Sequence, residues 1–159
     1  MTNHGLVIRK AVETDAPEIY EIMQESFSKY VADTGVTSAL EALQESCGDI
    51  VRDIQTKEVY IAVIDNVAVG TARVSIFHDG TAYLSRFGVR PSYNNIGIGK
   101  SLINLIDKEL MRIGIKSISL HTASKYKDLV RFYYDRGFYI DSTTKDKGYV
   151  RALMIKEYM

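Results

Sequence analysis

Apolar positions along this chain switch between a period of two and a period of three to four, and the switches outline its elements. Residues 6–12 alternate as a short strand. Thr14 then offers a helix N-cap ahead of Pro17 in the first turn, and Ile19, Ile22, Met23 and Phe27, three and four apart, predict a helix to about residue 30 with one inward face. Ser38 and Glu41 have the spacing of a capping box, after which Leu40, Leu43, Cys47, Ile50, Val51 and Ile54 keep the helical period. This predicts a second helix, or a bent pair broken near Gly48, with Cys47 in the core.

The remainder is strand-rich. Residues 58–64, the Asp65-Asn66 turn and residues 67–77 read as a hairpin, and His78-Asp79-Gly80 turns the chain into a third strand over residues 81–89. Ile98, Leu102, Leu105, Ile106, Leu110 and Ile113 mark a helix closed by Gly114. Residues 115–120 then form a strand that a right-handed crossover lays parallel to the one ending at Val89. A helix over residues 128–136 ends at Gly137, and residues 138–143 and 149–155 pair through Lys145-Asp146-Lys147-Gly148. The order β-α-α-β-β-β-α-β-α-β-β describes an α/β (α+β) chain. It has a mixed, mostly antiparallel sheet of six to seven strands and about four helices.

Composition narrows the function classes. With 159 residues and 46% hydrophobic content the chain builds one well-buried domain, residues 1–159, without repeats or a linker. Twenty basic and twenty acidic side chains cancel, so no bulk charge draws the protein to nucleic acid or to anionic lipid. Cys47 is the lone cysteine, which excludes an internal disulfide or a Cys-rich metal site. No apolar run approaches the roughly eighteen residues of a membrane span, and a cytoplasmic location is expected.

The stretch around Gly97-Ile98-Gly99-Lys100-Ser101 carries the chemistry. It runs from a strand through a turn into a helix start, where successive N–H groups lack intrahelical acceptors and sit at the positive end of the helix dipole. Phosphate is the expected ligand. A P-loop also ends in Gly-Lys-Ser, but its first glycine belongs where Asn94 stands, and the dinucleotide fingerprint needs a small residue at Leu102. A different pattern fits. Val89-x-Pro91 followed by Asn94-x-x-Gly97-x-Gly99 resembles the acetyl-coenzyme A motif of the GNAT superfamily of N-acetyltransferases, Val-x-Pro-x-x-(Gln/Arg)-x-x-Gly-x-(Gly/Ala), with Asn94 in the Gln/Arg slot. Phe132-Tyr133-Tyr134-Asp135-Arg136-Gly137-Phe138 resembles the superfamily's later signature, an aromatic-Tyr pair near a helix end followed by Gly-Phe. Tyr126 stands where relatives commonly carry an Asn that binds the pantetheine arm.

The resemblance implies a sheet splayed into a central V. Main chain at Phe87, Gly88 and Val89 then bonds pantetheine as if it were another strand. Asn94, Asn95, Ile96, Gly97, Ile98, Gly99, Lys100 and Ser101 hold the phosphates, Tyr126 lies beside the arm, and Lys125 or Lys127 reaches the nucleotide's 3′-phosphate. It also implies acetyl transfer from acetyl-coenzyme A to an amine in a ternary complex, without metal. Tyr133 is then the acid for the leaving thiolate and a backbone N–H near Val89 the oxyanion donor. Residues 83–89 lack the carboxylate that many members use as base, which leaves water or His121, at the end of the facing strand. His78 reads as a turn residue, His4 as terminal, and Arg73, Arg86 and Arg151 as solvent-facing strand positions. A non-catalytic acyl-coenzyme A sensor is the alternative, and a Gly99-Lys100-Ser101 nucleotide site a third reading. The acceptor, a small-molecule or peptide amine, would be selected by residues 30–38 and 144–148, and relatives commonly form homodimers.

Overall fold

The computed structural model describes residues 5–36 and 40–158, so the expected Ser38 capping box and His4 lie outside the described residues. Seven strands form one sheet in the order β1-β2-β3-β4-β5-β7-β6. They are β1 (Leu6–Lys10), β2 (Glu58–Ile64), β3 (Val67–Ile76), β4 (Thr81–Val89), β5 (Ser117–Ala123), β6 (Tyr139–Thr144) and β7 (Arg151–Glu157). Only β4 and β5 run parallel, as expected from the crossover. The helices described are α1 (Ala16–Thr34), α2 (Leu40–Gln44), α3 (Cys47–Thr56), α4 (Ile98–Arg112) and α5 (Lys127–Asp135).

Strand alternation decides what each sheet face carries. Val59 and Ile61 pack with Ile19, Ile22, Met23 and Ile50 under α1 and α3, whereas Tyr60, Ala62, Ala82, Leu84, Ile118 and Leu120 pack under α4 and α5. Two faces are therefore covered by different helix pairs. The 46% apolar content is enough to fill both layers.

Several local expectations are corrected. Thr14 does not cap α1: a 3₁₀ turn, Glu13–Asp15, precedes the helix, and Asp15 stands at the cap position. The helical period breaks before Ser46 and not at Gly48, because Ser46 Oγ accepts from Asp49 N (3.1 Å) while Asp49 accepts from Ser46 N (2.9 Å). That reciprocal cap starts α3 and leaves Cys47, in its first turn, exposed rather than in the core. The expected strand 115–120 is displaced to Ser117–Ala123, which brings His121 inside it. Arg73 is fully buried rather than solvent-facing.

Asp15 yields a stability prediction. Its carboxylate accepts from Arg9 Nη1 and Nη2 (2.7 and 3.0 Å) and from Val12 N (2.7 Å), and the Arg9 hydrogen bonds hold its pKa below the usual carboxylate value. A lowered folded pKa gives stability that is complete above the unfolded value, about 3.9, and is lost as pH falls through the folded one. Asp15→Asn should therefore lower the urea midpoint at neutral pH and flatten its decline below about pH 4. An acid limb as steep as that of the native chain would show that Asp15 does not contribute it.

Candidate active site

β4 and β5 pair through Thr81↔Ser117, Ala82↔Ile118 and Tyr83↔Ser119 and then part, which opens the expected V. β5 continues paired with β7 through Ala123↔Arg151, so the opening is on the β4 side. There the β4 register against β3 shifts: Thr71 faces Gly88 and Arg73 faces Ser85, so Ala72 alone spans Arg86 and Phe87. Arg86 sits in this bulge at φ 51°, a left-handed conformation that a non-glycine residue adopts at a cost. Beyond the bulge, Arg90 N donates to Val69 O (2.8 Å). Successive strand amides point to opposite edges, so the Val89 N–H faces the gap.

The turn after β4 supplies the cradle. Gly97 is the N-cap of α4 at φ 91°, where a side chain would be strained. Ser101 N closes the first helical turn on Gly97 O (3.0 Å). Asn94 (φ −67°, ψ 155°) and Asn95 (φ 65°) are the central residues of a turn that folds the Ile96 N–H back toward Tyr93, which leaves the five N–H groups of Asn95, Gly97, Ile98, Gly99 and Lys100 without a protein acceptor among the described residues; that of Asn94 bonds Pro91 O and that of Ser101 is used by the helix. The Ser101 amide is thus not part of the cradle. Gly99 is small for another reason: a Cβ there would meet Phe87 Cζ at 3.1 Å and Phe132 Cζ at 3.3 Å. Those two rings stack with centroids 5.9 Å apart and form the cradle floor. Gly88 leaves space toward α1, where a Cβ would collide with Ser26 Oγ, so its smallness also serves helix packing.

One cleft of about 940 Å³ joins these parts. Phe87, Gly88, Val89, Asn94, Asn95, Gly97, Ile98, Gly99 and Lys100 line it, as do Tyr126, Tyr133 and His121. Ile96, Ser101, Lys125 and Lys127 are not among its lining. Tyr30 and Lys147 reach it from the segments 30–38 and 144–148 expected to select the acceptor, whereas sequence reasoning missed Lys29 on α1, Tyr83 on β4 and Arg136 after α5. Two carboxylates also line it, Asp33 from the expected segment and Glu41, which sequence reasoning missed. Asp33 pairs with Lys29 (2.7 Å) and accepts from Tyr126 Oη (3.3 Å), and Glu41 comes from α2.

Tyr133 is 5% exposed and packs edge-on against Phe132 and Phe138, with centroids 5.3 and 5.6 Å away. Its hydroxyl has no hydrogen-bond partner among the described residues. Burial raises its pKa well above the ordinary tyrosine value, and the phenols of Tyr30 and Tyr83 push in the same direction. His121 lies on the other face of the sheet, half-buried, its Nδ1 2.6 Å from Tyr83 Oη. Burial and then Arg151 lower the His121 pKa, with Asp146 opposing, which favours the neutral ring. A phenol whose burial favours the protonated form and an imidazole whose burial favours the neutral form therefore line one cleft from its two sides. Arg151 is held by Asp146 (3.0 Å) at the rim, and Arg86 reaches Glu45 at 3.4 Å.

Among the described residues, no three His, Cys, Asp or Glu side chains are placed to hold a metal ion, and no helix is long and apolar enough to cross a membrane.

Comparison with known proteins gives a consistent result. The acetyltransferase (GNAT) family matches residues 16–138. The uncharacterized protein YyaT of Bacillus subtilis (strain 168) is 28% identical over 152 residues, 94% of this chain and 93% of that one. Among solved structures, the PaiA N-acetyltransferase of Thermoplasma acidophilum in complex with coenzyme A aligns with a TM-score of 0.86 at 23% identity, covering 99% of this chain and 100% of that one. The ribosomal-protein-S18-alanine N-acetyltransferase of Escherichia coli aligns at 0.77 and 18%, covering 96% and 93%. At these identities the likeness shows a shared fold: a mixed, mostly antiparallel seven-stranded sheet with five helices among the described residues.

Proposed function

Because the chain belongs to the GNAT acetyltransferase family and is an acyltransferase, we propose that it moves the acetyl group of acetyl-coenzyme A directly to an amine. Both substrates are held at once in the cleft. The observation that carries this reading is the set of five N–H groups, of Asn95 and of residues 97–100, that have no protein acceptor among the described residues and belong to the lining of the same cleft as Tyr133. Such a set fits a pyrophosphate, and a V between β4 and β5 fits an amide-bearing arm.

Bound acetyl-coenzyme A supplies the acetyl group as an activated thioester. The chain's own groups do the rest. Asn95 and residues 97–100 hold the phosphates through main chain, with Lys100 and Arg136 among the cations that line the cleft. Phe87 and Val89 offer the main chain of the parted β4 edge to the arm, and the Val89 N–H supports the carbonyl oxygen as negative charge grows on it. Tyr133 gives its proton to the departing sulfur. His121, neutral and on the opposite side, receives the proton that the amine loses. The acceptor is an amine of a small molecule or peptide, entering past Tyr30, Arg86 and Tyr149.

Calorimetric titration with acetyl-coenzyme A, beside ATP with Mg²⁺, tests the reading. Saturable one-site binding of acetyl-coenzyme A alone is expected, followed by thiol release with a suitable amine. Binding of ATP instead, or of neither, would overturn it.

A further inference from the structure

The two side chains that stand where β4 and β5 part, Tyr83 and His121, are bonded to each other across the opening. Tyr83 Oη lies 2.6 Å from His121 Nδ1, with the rings 5.6 Å apart. Strand alternation puts both on the sheet face opposite Ala82, Leu84, Ile118 and Leu120, away from α4 and α5. Tyr133 belongs to the other face, yet it lines the same cleft as Tyr83 and Tyr30. The two sides meet in one cleft.

The direction of the Tyr83–His121 bond follows from donor and acceptor strength. A phenol O–H is a stronger donor than an imidazole N–H, and an imidazole nitrogen a stronger acceptor than a phenol oxygen. Tyr83 therefore donates to Nδ1, and His121 carries its own proton on Nε2. In that tautomer Nε2 is a donor and Nδ1 is the one basic nitrogen. Nδ1 is reached only through the Tyr83 oxygen. The charged and titratable groups around the pair are Arg86 from β4, Arg151 from β7, Asp146 and Tyr149 from the turn before β7, and Tyr30 from α1. Arg151 favours the uncharged imidazole, and Asp146 opposes it.

We propose that Tyr83 is a catalytic residue, a relay that takes a proton from the acceptor nitrogen while passing its own hydroxyl proton to His121 Nδ1. This rests on the acetyl-transfer reading above. A neutral amine nitrogen bonds the acetyl carbon and the C–S bond breaks; one N–H bond is exchanged for an O–H bond on Tyr83, whose former O–H becomes N–H on His121. Tyr133 gives its proton to the thiolate, and the imidazolium then loses one proton to solvent as Tyr133 regains one. Nothing else is consumed.

Heteronuclear NMR of the imidazole nitrogens tests the bond without any acceptor, so it is independent of the acetyl-transfer reading, which thiol release measures separately. The native chain is expected to show His121 protonated on Nε2. Tyr83→Phe should mix the tautomers and raise the His121 pKa, because the neutral form loses a favourable hydrogen bond, while His78 stays unchanged as a control. A His121 protonated on Nδ1, or one indifferent to Tyr83→Phe, would overturn the relay. In turnover, Tyr83→Phe should lower kcat by about a hundredfold with the acetyl-coenzyme A KM within about twofold. Its acid limb should move upward in pH. Adding His121→Gln should cost little more, since the two act as one unit. A native kcat in Tyr83→Phe, or fully multiplicative losses, would equally dismiss the proposal.

Discussion

Tyr133→Phe is expected to lower kcat for acetyl transfer by about a hundredfold to ten-thousandfold, the range of a lost general acid, while acetyl-coenzyme A binds within about twofold of the native affinity. The separation is expected because the substitution removes only the oxygen. The ring packs against Phe87, Phe132 and Phe138, contacts that Phe keeps, and the hydroxyl leaves no hydrogen-bond partner behind among the described residues. The cradle is main chain of a different element, Asn95 and residues 97–100. A phenol with so raised a pKa is a weak acid, and a thiol in water has a pKa near 8.5, so the transfer would run uphill between solvated groups. In the cleft the difference is smaller. A thiolate forming against buried aromatic rings is destabilised by the same desolvation that raises the tyrosine, which brings the two closer together. The sign for pH follows: the protonated phenol is the working form, activity would be lost only as pH rises through its folded pKa, and that lies above the ordinary value of about 10. No alkaline limb attributable to Tyr133 is therefore expected below about pH 10. Stopped-flow release of thiol, beside calorimetry of each variant, reads both quantities. An unchanged kcat removes Tyr133 from the mechanism, and a large loss of acetyl-coenzyme A affinity makes it a binding residue.

The cradle was legible in the sequence because its determinants are local: Gly97 for a left-handed N-cap, Gly99 for space and the helical period from Ile98 onward all lie within one turn. The V was legible only through the family resemblance, since its cause is the end of pairing at Tyr83↔Ser119, 36 residues apart. What failed was also local or long-range for definite reasons. Ser46 and Asp49 formed a stronger helix start than the Gly48 break that periodicity suggested, and the same cap exposed Cys47. Arg73 read as solvent-facing because alternation tells which face a strand residue occupies and not what covers that face. Tyr83 could have been found: with Ala82 and Leu84 inward on one strand and Ile118 and Leu120 on the next, Tyr83 and His121 must share the opposite face.

Arg73→Met is expected to cost about 3–5 kcal/mol of unfolding free energy, the range for removing one member of a buried ion pair. Arg73 has no exposed side-chain surface, and its guanidinium is divided between the carboxylates of Glu45, in the connection between α2 and α3, and Asp53 on α3. Nη1 donates to Glu45 Oε2 and Asp53 Oδ2, both at 2.9 Å, and Nη2 to Glu45 Oε1 at 2.5 Å. Met fills much of the volume but leaves Glu45, whose side chain is 8% exposed, with Arg86 Nε at 3.4 Å as its remaining cation. Asp53 fares better, being 22% exposed and 3.5 Å from Lys57. The loss is therefore the penalty of a stranded carboxylate more than the worth of the pair itself. Adding Glu45→Leu should restore much of the stability, because two apolar groups then replace two charges. Urea unfolding of the native chain, the single variant and the double variant separates these outcomes, and a single variant within about 1 kcal/mol of native would mean that water solvates Glu45 in place of Arg73. The consequence for function is specific to one side of the cleft. Glu45 also holds Arg86 in the β4 bulge, next to Tyr83 on the acceptor face, whereas the cradle lies at the start of α4. Arg73→Met should accordingly raise the KM for the amine more than that for acetyl-coenzyme A, at temperatures where the variant stays folded.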